Sequence, residues 1–547
     1  MAAIFCVLVL ASLATAKIAS NVSRPSLAAD IILGQPLEGF VSFSIEFSSF
    51  PDFAGNGSNP NKFSNNLLNN LGYLIGTKPY IRVGGNTQDY AIYNPNLTIA
   101  LNGTVNATRS PDYPTTIEIG PLYFESYLTW PNVKFTHGFN MGGNHDSRQW
   151  DTLLQTAAIA CKTLGKDRLN WWEYGNEPDL FSVSSQGPVR PSNYSESDYV
   201  AEWLAGTRAI KGVITETCPD MLGNETYGYL APSFAGVANA LDAASTWAEG
   251  LDSDGTVRYF STHNYISGAT SPGVTLQGTL MNHTRTRASV DAHVSEFAEI
   301  SAVAGPGLRQ IMGETNSLYN QGKPGLSNSF GAALWGIDFN LYCASVGIGR
   351  VHMHMGTNYR YASWQPITTN LAVVGTKAPY YGNIAVAAFL GNLRIEPVRV
   401  AHLDLAASEP NATDADIGVR DSAYAAYVDN VLTRIMVINM RAYNYTLNGT
   451  GDLDMPSPAP RKTRTYTFGV EGFQDGREVV VRRLFANGSD AITGITWDGL
   501  SYNYELDMGK PVRLRNVTTG EKVEVKGGAV EVAVPDSQAV VLDFDAV

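Results

Sequence analysis

Asn170-Trp171-Trp172-Glu173-Tyr174-Gly175-Asn176-Glu177-Pro178 opens as an apolar strand and closes on a glycine, a carboxylate and a proline. The proline directly after Glu177 stops the strand, so this carboxyl is expected where strand becomes loop. Working outward, similar strand candidates recur on both sides: Val41–Phe47, Tyr80–Val83 and Val133–Asn140, then Tyr227–Ala231, Val257–Tyr265, Arg309–Gly313 and Arg350–Met353. Stretches of helical periodicity separate them, among them Ser147–Leu164, Tyr199–Ile214, Val237–Glu249 and Ala288–Ala302. In the last, Val290, Val294, Phe297 and Ile300 recur at helical spacing. Parallel strands need helical crossovers, so eight strands alternating with helices predict a (β/α)8 TIM barrel of class α/β over residues 40–388.

Beyond residue 389 the pattern changes. Glu478–Leu484, Lys522–Lys526 and Ala529–Val534 are short, rich in valine and separated by Gly, Asn and Asp. In Val530-Glu531-Val532-Ala533-Val534 the larger apolar residues alternate, which predicts antiparallel sheet packed on one face and hence a C-terminal β-sandwich over 389–547. Residues 17–39 are expected to join that sandwich, with Leu27–Ile32 as a possible strand. A chain of 547 residues exceeds what one core usually serves, in keeping with two domains.

Hydrophobic residues make up 44% and charged residues 16%, the balance of a folded globular protein, and the formal net charge is −13. A nucleic-acid binder would show a basic face; here the short cluster Arg461, Lys462 and Arg464 reads as a solvated loop. Residues 1–16 read as a signal peptide: Ile4 to Leu13 is apolar but too short to span a bilayer, and Ala14-Thr15-Ala16 offers a small-x-small cleavage site before Lys17. No hydrophobic tail for a lipid anchor ends the chain, and thirteen Asn-x-Ser/Thr sites, Asn102, Asn106 and Asn224 among them, read as surface glycosylation sites. A secreted, extracellular glycoprotein, monomeric and without membrane anchor, is expected. Cys6 leaves with the signal peptide, so Cys161, Cys218 and Cys343 allow at most one internal disulfide. Cys161 lies on an apolar helical stripe, where a buried inert thiol is the usual outcome.

Reactive groups of a (β/α)8 enzyme sit at the C-terminal ends of its strands. The second strand ends Arg82-Val83-Gly84-Gly85-Asn86 and the fourth ends in Asn176-Glu177-Pro178. The sixth contains His263-Asn264-Tyr265, and the seventh ends Met312-Gly313-Glu314-Thr315-Asn316. Two carboxylates facing one mouth are what glycoside hydrolysis needs, one protonated to serve the leaving oxygen and one ionised to attack the anomeric carbon. A lone strand-end Glu is more often a salt bridge or a loop cap; the pair Glu177 and Glu314 on one barrel favours catalysis. Glu173, four residues earlier on the same strand as Glu177, is expected in a lower layer as a structural group. His352 and His354 share a strand face, but a catalytic zinc needs three protein ligands. The sequence therefore points to no metal and no cofactor, with His354 lining a pocket and His352 packing beneath it.

The segments Arg82-Val83-Gly84-Gly85, Trp172 to Pro178 and Met312 to Tyr319 resemble glycoside hydrolase family 79, which contains microbial β-glucuronidases and animal heparanases. The run Gly313 to Gly322 with His354 to Tyr359 narrows the resemblance to this family. It implies a (β/α)8 barrel with a β-sandwich, Glu177 as acid/base and Glu314 as nucleophile. It further implies that Tyr265 leans on the nucleophile, and that Tyr319, Tyr359 and the backbone near Asn320 and Gln321 hold a substrate carboxylate. Glu46, Asn86 and Asn176 would bond hydroxyls of the terminal sugar. Neutral phenols and N–H groups can bind a carboxylate without setting a full positive charge beside the nucleophile, which would depress the acid. Arg82 is expected to order the nucleophile from below. The reading is thus a retaining β-glucuronidase that removes terminal glucuronic or 4-O-methyl-glucuronic acid from glycans. The alternatives are a heparanase-like endo-enzyme, which should carry basic loops this acidic chain lacks overall, and a non-catalytic sugar-binding protein, which would not need both glutamates.

Overall fold

The computed structural model describes residues 16–20, 33–143, 147–184, 187–305, 307–408, 416–444, 460–470 and 472–545. The signal-peptide segment up to residue 15 and the strand proposed for Leu27–Ile32 lie outside these. Eight parallel strands close into a barrel: β1 (Val41–Glu46), β2 (Ile81–Gly84), β3 (Phe135–Phe139), β4 (Leu169–Tyr174), β5 (Tyr229–Phe234), β6 (Val257–Gly268), β7 (Arg309–Tyr319) and β8 (Val351–Met355). β8 closes on β1 in unbroken register from Val351 opposite Val41 to Met355 opposite Ile45.

Seven helices accompany the strands: α1 (Lys62–Ile75), α2 (Ser147–Arg168), α3 (Glu196–Thr217), α4 (Ala243–Ala248), α5 (His283–Ala304), α6 (Phe330–Ser345) and α7 (Ala378–Leu390). Local chemistry sets their starts. The side chains of Asn61, Asp242, Asn282 and Ser329 each accept the N–H three residues on, and Ser195 forms a capping box with Asp198. The segment expected as one helix from Val237 to Glu249 is helical only from Ala243. Asp179 accepts the Ala235 N–H and the Asn239 side chain, which holds the preceding residues as a loop. Between β2 and β3 an insertion replaces the usual helix. It carries a three-stranded sheet of Ala91–Tyr93, Leu101–Thr104 and Thr116–Ile119, with the last strand central.

Strands β6 and β7 run well past the expected ends and stay paired to Gly268 opposite Tyr319. Their ladder shifts register between Thr262 and His263, and the β7–β8 ladder shifts between Met312 and Thr315. Such bulges re-aim side chains, and here they flank His263 and Glu314.

The C-terminal region holds two sheets. The larger includes β9 (Val398–Leu403), β10 (Asp421–Val428), β11 (Val431–Asn439), β13 (Glu478–Phe485) and β15 (Gln538–Asp543); the smaller sets β12 (Thr463–Gly469) between β14 (Ala529–Pro535) and the N-terminal strand Ala16–Ser20. β14 alternates buried and outward residues, as its sequence demands. The larger sheet departs from the one-faced expectation. Ala423, Ala425, Ile435, Val437, Val540 and Leu542 pack toward the small sheet, while Tyr424, Ala426, Met436, Ile438 and Val541 join the barrel's core. What covers that second face is α6 and α7, apolar on all sides and buried nearly throughout. Gly382 lets them approach closely, since a Cβ there would meet the Ala333 carbonyl oxygen at 2.7 Å.

Two further expectations are corrected. Arg461 is no part of a solvated loop; it donates to the carbonyls of Asp536, Ala486 and Ser537 and fastens the chain entering β12. Cys161 is not an inert thiol but is bonded to Cys218, tying α2 to the end of α3, while Cys343 is buried and free. The bridge spans 57 residues, and closing a loop of that length in the unfolded chain is worth about 4 kcal/mol. Cys218→Ser should therefore lower unfolding stability by about 3–4 kcal/mol in a denaturant titration, with activity at 25 °C preserved.

Candidate active site

Arg82, fully buried at the end of β2, gathers the site around its guanidinium. Nε donates to Glu173 Oε2 at 2.8 Å, Nη1 to Ser44 Oγ at 3.0 Å and to Glu314 Oε2 at 2.5 Å, and Nη2 to Asn176 Oδ1 at 2.8 Å. Burial opposes its charge, but Glu173 and Glu314 outweigh that and keep it protonated. Arg82 thus sets a full positive charge against Glu314 from below, where the sequence expected it. Its other carboxylate partner, Glu173, balances it from the layer below and is held in turn by Ser233 Oγ at 2.6 Å.

Glu314, 5% exposed on β7, also accepts the Tyr265 hydroxyl on Oε1 at 2.7 Å. Burial alone would raise its pKa, but His354, His263 and Arg82 around it and the Tyr265 hydrogen bond hold it well below the ordinary range. Glu177 stands just beyond β4 in the left-handed region, φ 52°, with its N–H on the Ser233 carbonyl at 3.0 Å. A non-glycine residue there is strained, and Pro178, which opens a short 3-10 turn, helps to fix it. Glu177 Oε1 lies 2.9 Å from His263 Nδ1. Burial first, then the charge of Glu314, pushes Glu177 up to about 8, and burial pushes His263 down to about 4. At neutral pH the Glu177 carboxyl is thus protonated and the His263 imidazole neutral. In the tautomer that carries its N–H on Nδ1, His263 donates to Oε1 and leaves the acidic proton to Oε2.

One oxygen or nitrogen from each of Glu177, His263 and Glu314 lies within 4.8 Å of the others, a spacing that could also suit a cation. Both oxygens of Glu314 are already taken by Arg82 and Tyr265, and the arginine's charge opposes a metal at that point. The donor set fits proton transfer and nucleophilic attack better than coordination.

The two glutamates open into a cavity of about 870 Å³, whose wall also carries Glu46, Asn86, Asn176, Tyr265, Tyr319, Asn320, Gln321, His354 and Tyr359. Every sequence-derived site residue is therefore brought together. Glu46 accepts the Thr87 N–H at 3.0 Å and the Tyr359 hydroxyl at 3.1 Å. His354 Nδ1 lies 2.8 Å from Ser44 Oγ, and His352 is buried beneath it. Tyr319 is 47% exposed at the tip of β7, and the chain turns there through Asn320 and Gln321, both with positive φ. Sequence reasoning left three contributors without a role. The sequence places His263 on its strand, and its position two residues before Tyr265 is the period that could have assigned it to the site. Tyr361 packs its ring 6.1 Å from that of Tyr265. Asp89 is buried and accepts the backbone N–H groups of Met141, Gly142 and Asn176 at 2.9, 3.1 and 2.8 Å, so it sets the loop that carries Glu177. Nothing in its local sequence announces that role.

Residues 423–541 match the glycosyl hydrolase family 79 C-terminal beta domain. A β-glucuronidase of Neurospora crassa is 59% identical over 496 residues, 89% of this chain and 88% of that protein. One of Aspergillus niger is 53% identical over 512 residues, 93% and 91% of the two. Among solved structures, a 4-O-α-L-rhamnosyl-β-D-glucuronidase from Fusarium oxysporum aligns over 96% of this chain and all of its own, with a TM-score of 0.73 at 24% identity, a likeness of fold.

The electrostatics fix a pH dependence. As the acid expected from the sequence, Glu177 could act only while protonated, and its raised pKa keeps it so until pH passes about 8, whereas Glu314 is ionised down to strongly acidic pH. Turnover should describe a bell centred in the acidic range, its alkaline limb following Glu177. Glu314→Gln should abolish turnover and lower the Glu177 pKa, leaving it still above the ordinary range because burial persists. Carbon-13 NMR titration of the glutamate carboxyls checks both statements.

Proposed function

The chain belongs to glycoside hydrolase family 79, and from that membership we propose that it is a secreted, retaining, exo-acting β-glucuronidase. Its substrates would be glycans ending in β-linked glucuronic or 4-O-methyl-glucuronic acid. The observation that carries the reading is the pair itself: an ionised Glu314 and a protonated Glu177 facing one cavity. Retaining enzymes set their carboxyl groups about 5–5.5 Å apart, inverting ones about 6.5–9.5 Å. An oxygen of Glu177 and one of Glu314 within 4.8 Å favour the former.

In the first step Glu314 attacks the anomeric carbon while Glu177 passes its proton to the leaving oxygen, giving a covalent glycosyl-enzyme. Arg82 and Tyr265 hold the attacking carboxylate in line. In the second step Glu177, now ionised, takes a proton from water, which displaces Glu314 and releases the sugar in its original configuration. Tyr319, Tyr359 and the backbone N–H groups of Asn320 and Gln321 are proposed to receive the sugar's carboxylate. Glu46, Asn86 and Asn176 would receive its hydroxyls.

Exo action is favoured over the heparanase-like endo mode by the way the cavity is walled. Arg360, just after Tyr359, makes a two-pronged ion pair with Asp112 of the insertion, at 2.7 and 2.8 Å, and the rings of Tyr113 and Tyr359 meet at 6.4 Å. The loops after β2 and β8 are thus clasped together on the side of Tyr359, where an endo-enzyme would need an open cleft. The signal-peptide reading of the first residues and the glycosylation sites support secretion. Among the described residues no helix is long and apolar enough to cross a membrane.

Two measurements test the proposal. Proton NMR of the first-formed product should show the β-anomer; an α-anomer would refute retention. On aryl glycosides, glucuronide should be strongly preferred over glucoside. Because a hydrogen bond to a charged group is worth about 1.5–3 kcal/mol, Tyr359→Phe should cost at least about tenfold in kcat/KM on glucuronide and much less on glucoside. Equal activity of the wild type on both substrates would overturn the substrate class while sparing the two-glutamate mechanism.

A further inference from the structure

The opposite end of the barrel carries a second feature. Tyr80, Trp171, Tyr259 and Arg350 stand at the beginnings of the even-numbered strands β2, β4, β6 and β8, the arrangement in which alternate strands contribute one layer of barrel filling. Arg350 lies over Tyr80, 4.1 Å from its ring centre, and 5.7 Å from that of Tyr259; Trp171 and Tyr259 meet at 6.5 Å across β5. This layer closes the N-terminal mouth incompletely. Trp171 and Tyr259 remain partly exposed and, with Arg258 and Gly255, line a depression of about 400 Å³. Arg258 is held against the floor by bonds to the Tyr227 and Gly255 carbonyls, and its guanidinium lies 5.9 Å from the Trp171 ring centre. On the rim, in the turn before β5, stand Asn224 and Glu225, both exposed.

Asn224-Glu225-Thr226 is an acceptor sequence for N-linked glycosylation. We propose that Asn224 carries an N-linked glycan whose first N-acetylglucosamine seats in this depression, against Trp171 and Tyr259, and caps the N-terminal mouth of the barrel. The inference rests on secretion, since the sugar donor, a lipid-linked oligosaccharide diphosphate, belongs to the secretory route. The new bond joins Asn224 Nδ2 to the anomeric carbon of the first sugar. The bond from that carbon to the carrier's diphosphate breaks, the diphosphate leaves with the electron pair, and the amide gives up one proton. Once attached, the pyranose presents a face of C–H groups to the two rings, a contact of the kind aromatic surfaces favour. Its polar edge faces Arg258 and solvent. Partly exposed rings, an arginine on the floor and an acceptor asparagine on the rim coincide at this one place, which is why the seat is assigned to Asn224. Asn102, exposed on the edge of the insertion sheet, lines neither this depression nor the catalytic cavity.

The test expresses the full chain, with its own N-terminal segment, in a eukaryotic host. Glycopeptide mass spectrometry should find Asn224 occupied. Under native conditions an endoglycosidase that cuts within the chitobiose core should release its glycan roughly five- to tenfold more slowly than the glycan of Asn102, the factor one aromatic contact supplies. Trp171→Ala should bring the two rates together, and Trp171→Phe should preserve most of the difference. Trp171→Leu, which fills the space without a ring, makes the same comparison if the alanine variant does not fold. Hydrolytic activity should be unchanged in all three, because the seat lies at the far end of the barrel from Glu177. An unmodified Asn224 among occupied sites, or equal release rates in the wild type and the ringless variants, would overturn the seat alone. Bare asparagines at every acceptor site would overturn secretion and the seat with it.

Discussion

The guanidinium of Arg82 is the interaction on which the site depends. It is a permanent charge without solvent, and such a charge is tolerated only where partners surround it. Ser44, Glu173, Asn176 and Glu314 reach it from β1, β4, the loop after β4, and β7. Three separate pieces of backbone are thereby tied to one planar group of fixed shape, and the fork geometry leaves little freedom in how they are placed. Removing the arginine would leave two carboxylates buried and facing each other without a counter-charge.

The same arrangement separates the acidities of the two glutamates proposed for catalysis. Glu314 is buried and Glu177 largely so, and loss of solvent pushes both upward; what divides them is their company. Glu314 receives Arg82 and Tyr265, donors that favour the ionised form. Glu177 receives only His263, itself kept neutral by burial, and faces the charge of Glu314. A carboxylate and a carboxylic acid therefore coexist within one cavity, which is the condition for a nucleophile and an acid to work in the same turnover.

Much of this was legible in the sequence because the signals were local. Asn176-Glu177-Pro178 announces a strand end, Gly313-Glu314-Thr315 places a second carboxylate on a strand, and the alternation of strand and helix announces the barrel around them. The extension of β7 to Tyr319 was not legible, since it depends on β6 running equally far beside it. Asp89 escaped notice because its partners are backbone amides of Met141, Gly142 and Asn176, distant in sequence and of no particular side-chain type. The loop at 237–242 read as helix because its apolar spacing suits one, yet the carboxylate of Asp179 overrides that preference. The pairing of Cys161 with Cys218 was open for a similar reason: an apolar stripe fits a bridge between two helices as well as it fits a lone thiol.

One feature of the fold reaches further than its position suggests. The helices α6 and α7, enclosed between barrel and sandwich, directly follow the strands that carry Glu314 and His354. Their outer sides rest on Tyr424, Met436, Ile438 and Val541 of the large sheet. The sandwich is thus the back wall against which the strand–helix unit of Glu314 is braced. Protein interiors transmit small displacements because they are close-packed. A change of volume on that sheet is therefore felt along α6 before it is felt anywhere at the surface. For anyone seeking to alter the enzyme by exchanging parts, barrel and sandwich are a single inheritance: the wall must be carried over with the chamber it supports.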